Sequence, residues 1–139
     1  MMRAHQATAV AIGGRALLIE GPPGSGKSSL ALALIDRGAK LIGDDGVMLE
    51  VAGGRLLAHP HPNTLGLLEV RNLGLLGYEV CESAAVALVL MLDCKAPRHI
   101  EVAETAERLG VALPLLRLWP DSPVIALKAE LALRRFGLA

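Results

Sequence analysis

Gly21-Pro22-Pro23-Gly24-Ser25-Gly26-Lys27-Ser28 is the stretch on which the reading of this chain turns. It matches G-x-x-x-x-G-K-[ST], a loop whose small residues let backbone N–H groups curl around phosphate oxygens. Before it, Ala16-Leu17-Leu18-Ile19 is a short apolar run suited to a strand buried on both faces. After it, Lys27–Arg37 (KSSLALALIDR) lacks Gly and Pro and is rich in Ala and Leu, which predicts a helix. Gly38 stands where a helix C′ glycine belongs. The free N–H groups of that helix's first turn, and its dipole, attract negative charge. Lys27 can then reach the β- and γ-phosphates of a nucleotide, and Ser28 offers a hydroxyl to Mg²⁺. Gly21, Pro22, Pro23, Gly24, Ser25, Gly26, Lys27 and Ser28 are therefore the candidate nucleotide-binding residues.

Working outward, Ala7–Ile12 reads as a strand turned into the loop strand by Gly13-Gly14. Lys40–Gly43 is a short strand ending at Asp44-Asp45. Val47–Val51 and Arg55–Ala58 flank Gly53-Gly54, a hairpin signal. His59–Asn63 (HPHPN) holds two prolines and reads as irregular, Leu67–Val70 as a strand, and Ala84–Asp93 as a deeply buried strand. Asn72–Gly77 is a glycine-marked stretch. Within it and beyond, apolar Leu73–Tyr78 is either a mobile loop receiving a protein substrate or packed core. A helix is expected over about Ala103–Leu109, with Glu101, Glu104 and Glu107 on a solvated face. Leu113–Trp119 reads as a final strand. Ser122 as N-cap, with Pro123 at the first helical position, opens a helix running to about Phe136, stopped by Gly137; Arg134-Arg135 suit its C-terminal dipole. Strands and helices mix without regular βαβ alternation, so the expected class is α/β, a mixed central sheet with flanking helices.

Composition limits what such a fold can do. The 139 residues amount to one domain, long enough to bury roughly two-thirds of the unfolded surface. The hydrophobic fraction is 53% but Trp, Tyr and Phe each occur once, so the core is built from Leu, Ala, Val and Ile. A formal net charge of zero provides no basic field for nucleic acid or an anionic membrane. The longest apolar run, Ala84–Leu92, is far short of the ~20 residues that cross a bilayer. Met1–Ala7 is too polar for a secretory segment. Cys81 and Cys94, without a CxxC pair, read as two reduced, buried thiols in a cytoplasmic protein. His59 and His61, two residues apart with no further ligand evident, read as part of a substrate-facing loop rather than a metal site.

Two acidic positions compete for the chemistry beside the loop. Asp44 and Asp45 end a strand that, lying beside the loop strand, would present carboxylates at the ligand-binding edge of an open α/β sheet. One could accept a proton from an attacking hydroxyl and the other orient Mg²⁺. Asp-Asp-Gly is equally ordinary turn chemistry. Ala87–Asp93 (ALVLMLD) resembles the apolar strand with a terminal Asp that generic P-loop ATPases use for Mg²⁺. Residue chemistry alone leaves both open.

Several segments in order resemble the catalytic domain of HPr kinase/phosphorylase. These are the His5 strand, the loop and its continuation Ser29–Gly38, Leu41-Ile42-Gly43-Asp44-Asp45 directly after that helix, Leu68-Glu69-Val70-Arg71-Asn72-Leu73-Gly74 against an L-E-x-R-G-L-G signature, and Glu107-Arg108-Leu109-Gly110. The resemblance implies a P-loop kinase fold of the HPr kinase/phosphoenolpyruvate carboxykinase type, in a short form without the separate N-terminal domain. It implies ATP and Mg²⁺ as cofactors, and phosphorylation of a serine on HPr or a related phosphocarrier of the sugar phosphotransferase system. A bacterial, hexameric assembly is implied too. Residue by residue, it implies that Lys27 contacts the transferred phosphate and that Ser28 and Glu69 hold Mg²⁺. It implies Asp44 as the base, supported by His5, and Arg108 as the residue stabilising charge on the phosphoryl group. Asn72 replaces a signature glycine. Trp119–Val124 reads WPDSPV where a P-G-R-N-like segment linked to phosphorolysis belongs, with no arginine, a departure that bears on the reverse reaction more than on the kinase direction. Two further readings fit the loop: a generic small-molecule kinase or NTPase, and a non-catalytic ATP-binding sensor.

Overall fold

The apolar run before the loop becomes Arg15–Glu20 (β3), and it lies against Ala84–Leu92 (β9) in parallel, Glu20 opposite Met91. Both strands are near-continuously apolar because both faces of the sheet at this point are covered. A computed structural model describes residues 2–139. Around β3 and β9 the remaining strands are Met2–His5 (β1), Thr8–Ile12 (β2), Lys40–Gly43 (β4), Val47–Ala52 (β5) and Arg55–Pro60 (β6), then Leu67–Val70 (β7), Gly74–Gly77 (β8), Glu104–Arg108 (β10) and Val111–Leu118 (β11). The main sheet runs β1-β5-β6-β9-β3-β2-β4. β11 pairs in parallel with the second half of β9 and carries β10, while β6 pairs with β9 only at Ala84 and Ala85. β7 and β8 form a separate two-stranded sheet. Antiparallel hairpins around a parallel pair give the mixed α/β sheet expected from the sequence.

Two helices, Lys27–Asp36 (α1) and Ile125–Phe136 (α2), cover one face. Leu17, Ile19, Leu88 and Leu90 pack there against Leu30, Leu34, Ala129 and Leu133. The alternate residues Ala16, Leu18, Val86 and Val89 point to the opposite face, where the curled sheet closes on itself through Ile42, Leu49, Leu56 and Leu113. The alternation slips once. Ala16 pairs with Val86 but Leu17 with Leu88, so Ala87 is an inserted residue, and Ala87 and Leu88 both face the helices.

Most expected elements stand within a residue or two of their sequence boundaries, and the exceptions are physical. Ala103–Leu109 is not helical: Glu104–Arg108 is a strand antiparallel to β11, and Glu101, Glu104 and Glu107 are exposed on it and on the preceding loop. Pairing with β11 overrides the helix propensity of those residues. Gly110, directly after the expected helix, is the second residue of a tight hairpin turn. α2 begins at Ile125 rather than Pro123, with the Ser122 hydroxyl accepting the Val124 N–H (3.3 Å). Pro60 ends β6, and Pro62–Thr64 forms a turn of 3₁₀ helix, so HPHPN is only partly irregular. Leu73 and Leu75, 70% and 66% exposed, show that the stretch after the signature is β8 on the surface and not packed core. Cys94 is exposed rather than buried, and Cys81 is half-buried.

The hairpin turns carry a local strain. Gly13-Gly14 and Gly53-Gly54 each connect two strands with both residues at positive φ, as a type I′ turn requires. The β10–β11 turn puts Leu109 (φ 50°) and Gly110 (φ 79°) in the same positions. A left-handed leucine costs roughly 1–2 kcal/mol through Cβ crowding. Leu109 is 40% exposed, so little packing compensates for it. Replacing Leu109 with Asn, which tolerates this conformation, should therefore raise unfolding stability by about 1 kcal/mol, measured by chemical denaturation.

Candidate functional site

β2 is antiparallel to both β3 and β4 and lies between them, with Thr8 opposite Ile19 and Ala9 opposite Gly43. The start of β2 and the ends of β3 and β4 thus share one sheet edge. Asp44 reaches the loop's edge with β2 interposed, not by pairing with β3 directly. The chain turns sharply there: a Cβ on Gly43 would lie 2.6 Å from the Gly46 carbonyl oxygen, so only glycine permits the Gly43–Gly46 turn.

Asp44 is the organising group at this edge. Only 6% exposed, its Oδ1 accepts hydrogen bonds from Ser28 Oγ (2.6 Å) and Thr8 Oγ1 (3.0 Å), and its Oδ2 accepts the Glu69 N–H (2.9 Å). Thr8 is fully buried and works twice, since its hydroxyl also accepts the Asp45 N–H (3.3 Å). Asp45 sits at φ 55°, a strained setting that an aspartate tolerates better than most side chains. Asp93 is turned to other work. Its Oδ1 accepts the Lys95 N–H (2.8 Å), its Oδ2 accepts from Arg117 (3.2 Å), and Arg117 also donates to Glu104 (2.8 Å). Of the two acidic positions, Asp44 is the one that touches the loop serine.

Beside Asp44 opens a cleft of about 370 Å³ lined by Thr8, Lys27, Ser28, Asp45, Glu69 and Arg71 together with loop residues. α1 starts on Gly26 at φ 102° with no side-chain cap, so its first N–H groups are unclaimed by side chains and face the loop. Lys27 Nζ donates to the carbonyls of Gly21 (2.9 Å) and Pro22 (3.2 Å). Ser25 Oγ is buried without a hydrogen-bond partner among the described residues. An uncapped helix start, a glycine-rich cradle and an orphaned hydroxyl suit an anionic phosphate chain. No group of three His, Cys, Asp or Glu side chains could cage a metal among the described residues. The Glu69 carboxylate and the Ser28 hydroxyl, both lining the cleft, suit Mg²⁺, which usually takes one or two protein ligands and completes its shell from phosphates and water. His59 and His61 turn apart: His59 donates to Glu50 (2.9 Å), while His61 Nδ1 accepts the Asn63 N–H (3.1 Å).

The model of the HPr Serine kinase C-terminal domain family matches residues 2–110. The chain belongs to this family. It is 43% identical to an HPr kinase/phosphorylase from Clostridium botulinum (strain Eklund 17B / Type B) over 73% of this chain and 34% of that protein. It is 48% identical to the HPr kinase/phosphorylase of Bordetella petrii over 45% of this chain and 21% of that protein. The matched stretch is thus about a third or less of these relatives' length. The solved structure of the Hpr(Ser) kinase/phosphatase from Coxiella burnetii superposes with a TM-score of 0.83 at 26% identity, covering 95% of this chain and 88% of that one.

Within the HPr serine kinase C-terminal domain family, the departure at Asn72 has a simple reading. Asn72 adopts φ 73°, the left-handed conformation that favours glycine and that asparagine accepts best among other residues. Asn72 thus suits the turn from β7, the strand that holds Glu69, to β8, and Arg71 stands in the same turn. His5 and Arg108 lie elsewhere than beside Asp44. His5 Nε2 is 2.7 Å from Glu20 Oε2, and Arg108 grips the same carboxylate through Nε (3.0 Å) and Nη2 (2.6 Å) while Nη1 donates to the Glu107 carbonyl (2.8 Å). Neither residue lines the cleft.

Two residues at or near the site, Thr8 and Glu20, escape the sequence reading. Thr8 is the one hydroxyl in an otherwise apolar buried strand, and Glu20 the one charge ending another; a polar residue inside such a run is the available signal. Arg71 stands in the signature, and its guanidinium lies across Gly24, Nη2 being 3.9 Å from where a Cβ there would sit.

Burial alone pushes the Glu20 carboxyl up, but the hydrogen bonds and charges of His5 and Arg108 outweigh it and bring it down to about 2 from 4.5. A carboxyl held low stabilises the fold above its unfolded value, and that contribution fades as pH falls from 4.5 towards 2. It amounts to on the order of 3 kcal/mol. Acid denaturation of the wild type should show this steepening, and Glu20→Gln should flatten it.

Proposed function

We propose that this chain is an ATP- and Mg²⁺-dependent kinase that phosphorylates a serine of HPr or a related phosphotransferase-system phosphocarrier. The observation carrying this reading is the contact between buried Asp44 and Ser28, which lines the phosphate cleft. It joins a candidate base to the residue best suited to hold Mg²⁺. Membership of the HPr serine kinase C-terminal domain family and the names borne by its relatives support the acceptor.

In this reading the loop N–H groups and Lys27 bind the β- and γ-phosphates, Lys27 leaving the Gly21 and Pro22 carbonyls to do so. Ser28 and Glu69 are the protein ligands for Mg²⁺. When bound, the ion neutralises charge between the phosphates. Asp44 receives the proton of the acceptor serine as its oxygen bonds to the γ-phosphorus and the bond to the bridging oxygen of ADP breaks. Its Oδ2 accepts only the Glu69 N–H and so retains acceptor capacity for that proton. Arg71, whose side chain appears in no ion pair among the described residues, supplies positive charge across the cleft. The reverse reaction is left out of the proposal, because Trp119–Val124 offers no arginine.

Intact mass of HPr after incubation with this chain, ATP and Mg²⁺ should rise by one phosphate; no rise on any phosphocarrier refutes the acceptor. Asp44→Asn should retain ATP binding and lose transfer by at least about a hundredfold, within the range expected for a general base. Asp93→Asn should leave transfer within a fewfold of wild type, and its loss would instead favour a generic P-loop NTPase. A second reading draws on the commitment of Arg108 to Glu20: a nucleotide sensor without turnover. Tight ATP binding with neither hydrolysis nor transfer would establish it.

A further inference from the structure

We infer that Glu20 is a positioning residue for phosphoryl transfer, and that His5 and Arg108 act through it on the phosphate loop rather than on the transferred group. The inference rests on the proposed kinase reading and deepens it. Glu20 immediately precedes Gly21, whose carbonyl receives Lys27 Nζ. Its side chain lies on the strand-lined side of the sheet, since Ile19 before it faces the helices. There it is 9% exposed and both oxygens are occupied, Oε1 by Arg108 Nη2 and Oε2 by Arg108 Nε and His5 Nε2.

The node joins parts of the fold that share no direct strand pairing. His5 ends β1, which pairs only with β5; Arg108 ends β10, which pairs only with β11; Glu20 ends β3, which pairs with β2 and β9. A buried carboxylate with a forked arginine has a defined orientation, because two parallel N–H donors fix the plane of the group. The backbone one residue on inherits that orientation, and it is there that the loop begins. Each nitrogen of Arg108 is engaged, Nε and Nη2 on Glu20 and Nη1 on the Glu107 carbonyl, so three of its five N–H groups are committed within the protein. An arginine so committed, on a strand whose residues do not line the cleft, serves the chemistry by fixing the loop's entry.

A double-mutant cycle on transfer from ATP to HPr tests the coupling. Glu20→Gln and Arg108→Gln should each lower kcat at least tenfold with KM for ATP changed less than threefold. The double variant should be no slower than the slower single one. Glu20→Asp should recover part of the rate, which a shape-only role would not produce. If Glu20→Gln does not fold, His5→Gln against Arg108→Lys reads the same coupling from the ends of the node. An active wild type with Glu20→Gln equally fast, or losses that multiply in the double variant, overturns the inference alone. A wild type inert on every phosphocarrier overturns the kinase reading and the inference with it.

Discussion

The two oxygens of Asp44 set the relative positions of three segments far apart in sequence. Thr8 opens β2, Ser28 sits in the first turn of α1, and Glu69 belongs to a hairpin outside the main sheet; all three donate to this one buried carboxylate. A carboxylate so enclosed is costly unless its acceptors are satisfied, which makes the arrangement mutually dependent. Losing the Thr8 hydroxyl or displacing the Glu69 backbone would disturb the group that touches the loop serine. The geometry of the phosphate cleft is thus governed less by the loop, which is locally determined, than by what returns to it from residues 8 and 69.

Such precision requires a stiff frame, and the frame is aliphatic throughout. Aliphatic side chains alternate between the two faces of β3 and β9, one face meeting helices and the other meeting the curled sheet itself. With so few aromatic side chains, close approach of backbones replaces bulk in filling the interior, and small residues such as Ala9, Ala16 and Ala58 line the inside of the curl. The same curl brings His5 and Arg108, from strands on either side, to one carboxylate at its rim.

The sequence was most legible where local chemistry decides the conformation. The loop, α1, the Gly-Gly turns and the β4 carboxylates need only short-range rules. It was least legible where a distant partner decides. Glu104–Arg108 is composed of good helix formers and becomes a strand because Val111–Leu118 offers an edge. The turn between them holds a leucine where the β2–β3 and β5–β6 hairpins have glycine, so the usual hairpin signal is missing. At the site, spacing placed Asp44 and Ser28 together correctly but could not choose between Asp44 and Asp93, since both end apolar strands. Only the side-chain contacts distinguish them: Asp44 accepts from Ser28, whereas Asp93, close to Pro22–Ser25 on the other side of the loop, is held by Arg117 and the Lys95 N–H. Likewise nothing local in His5 or Arg108 indicates that they share Glu20.

The pairing of β11 with β9 gives the chain a different boundary from the one its family resemblance suggests. The family model ends at residue 110, in the turn before β11. Beyond that point lie the parallel neighbour of Val89–Leu92 and the helix that contributes Ala129, Ala132 and Leu133 to the interior. The stretch that the family model matches, residues 2–110, is therefore not by itself a unit of folding. The strand beside the phosphate loop reaches its full set of partners only when the last part of the chain has been made, so the cleft, though written almost entirely in the first half of the sequence, is completed from the other end.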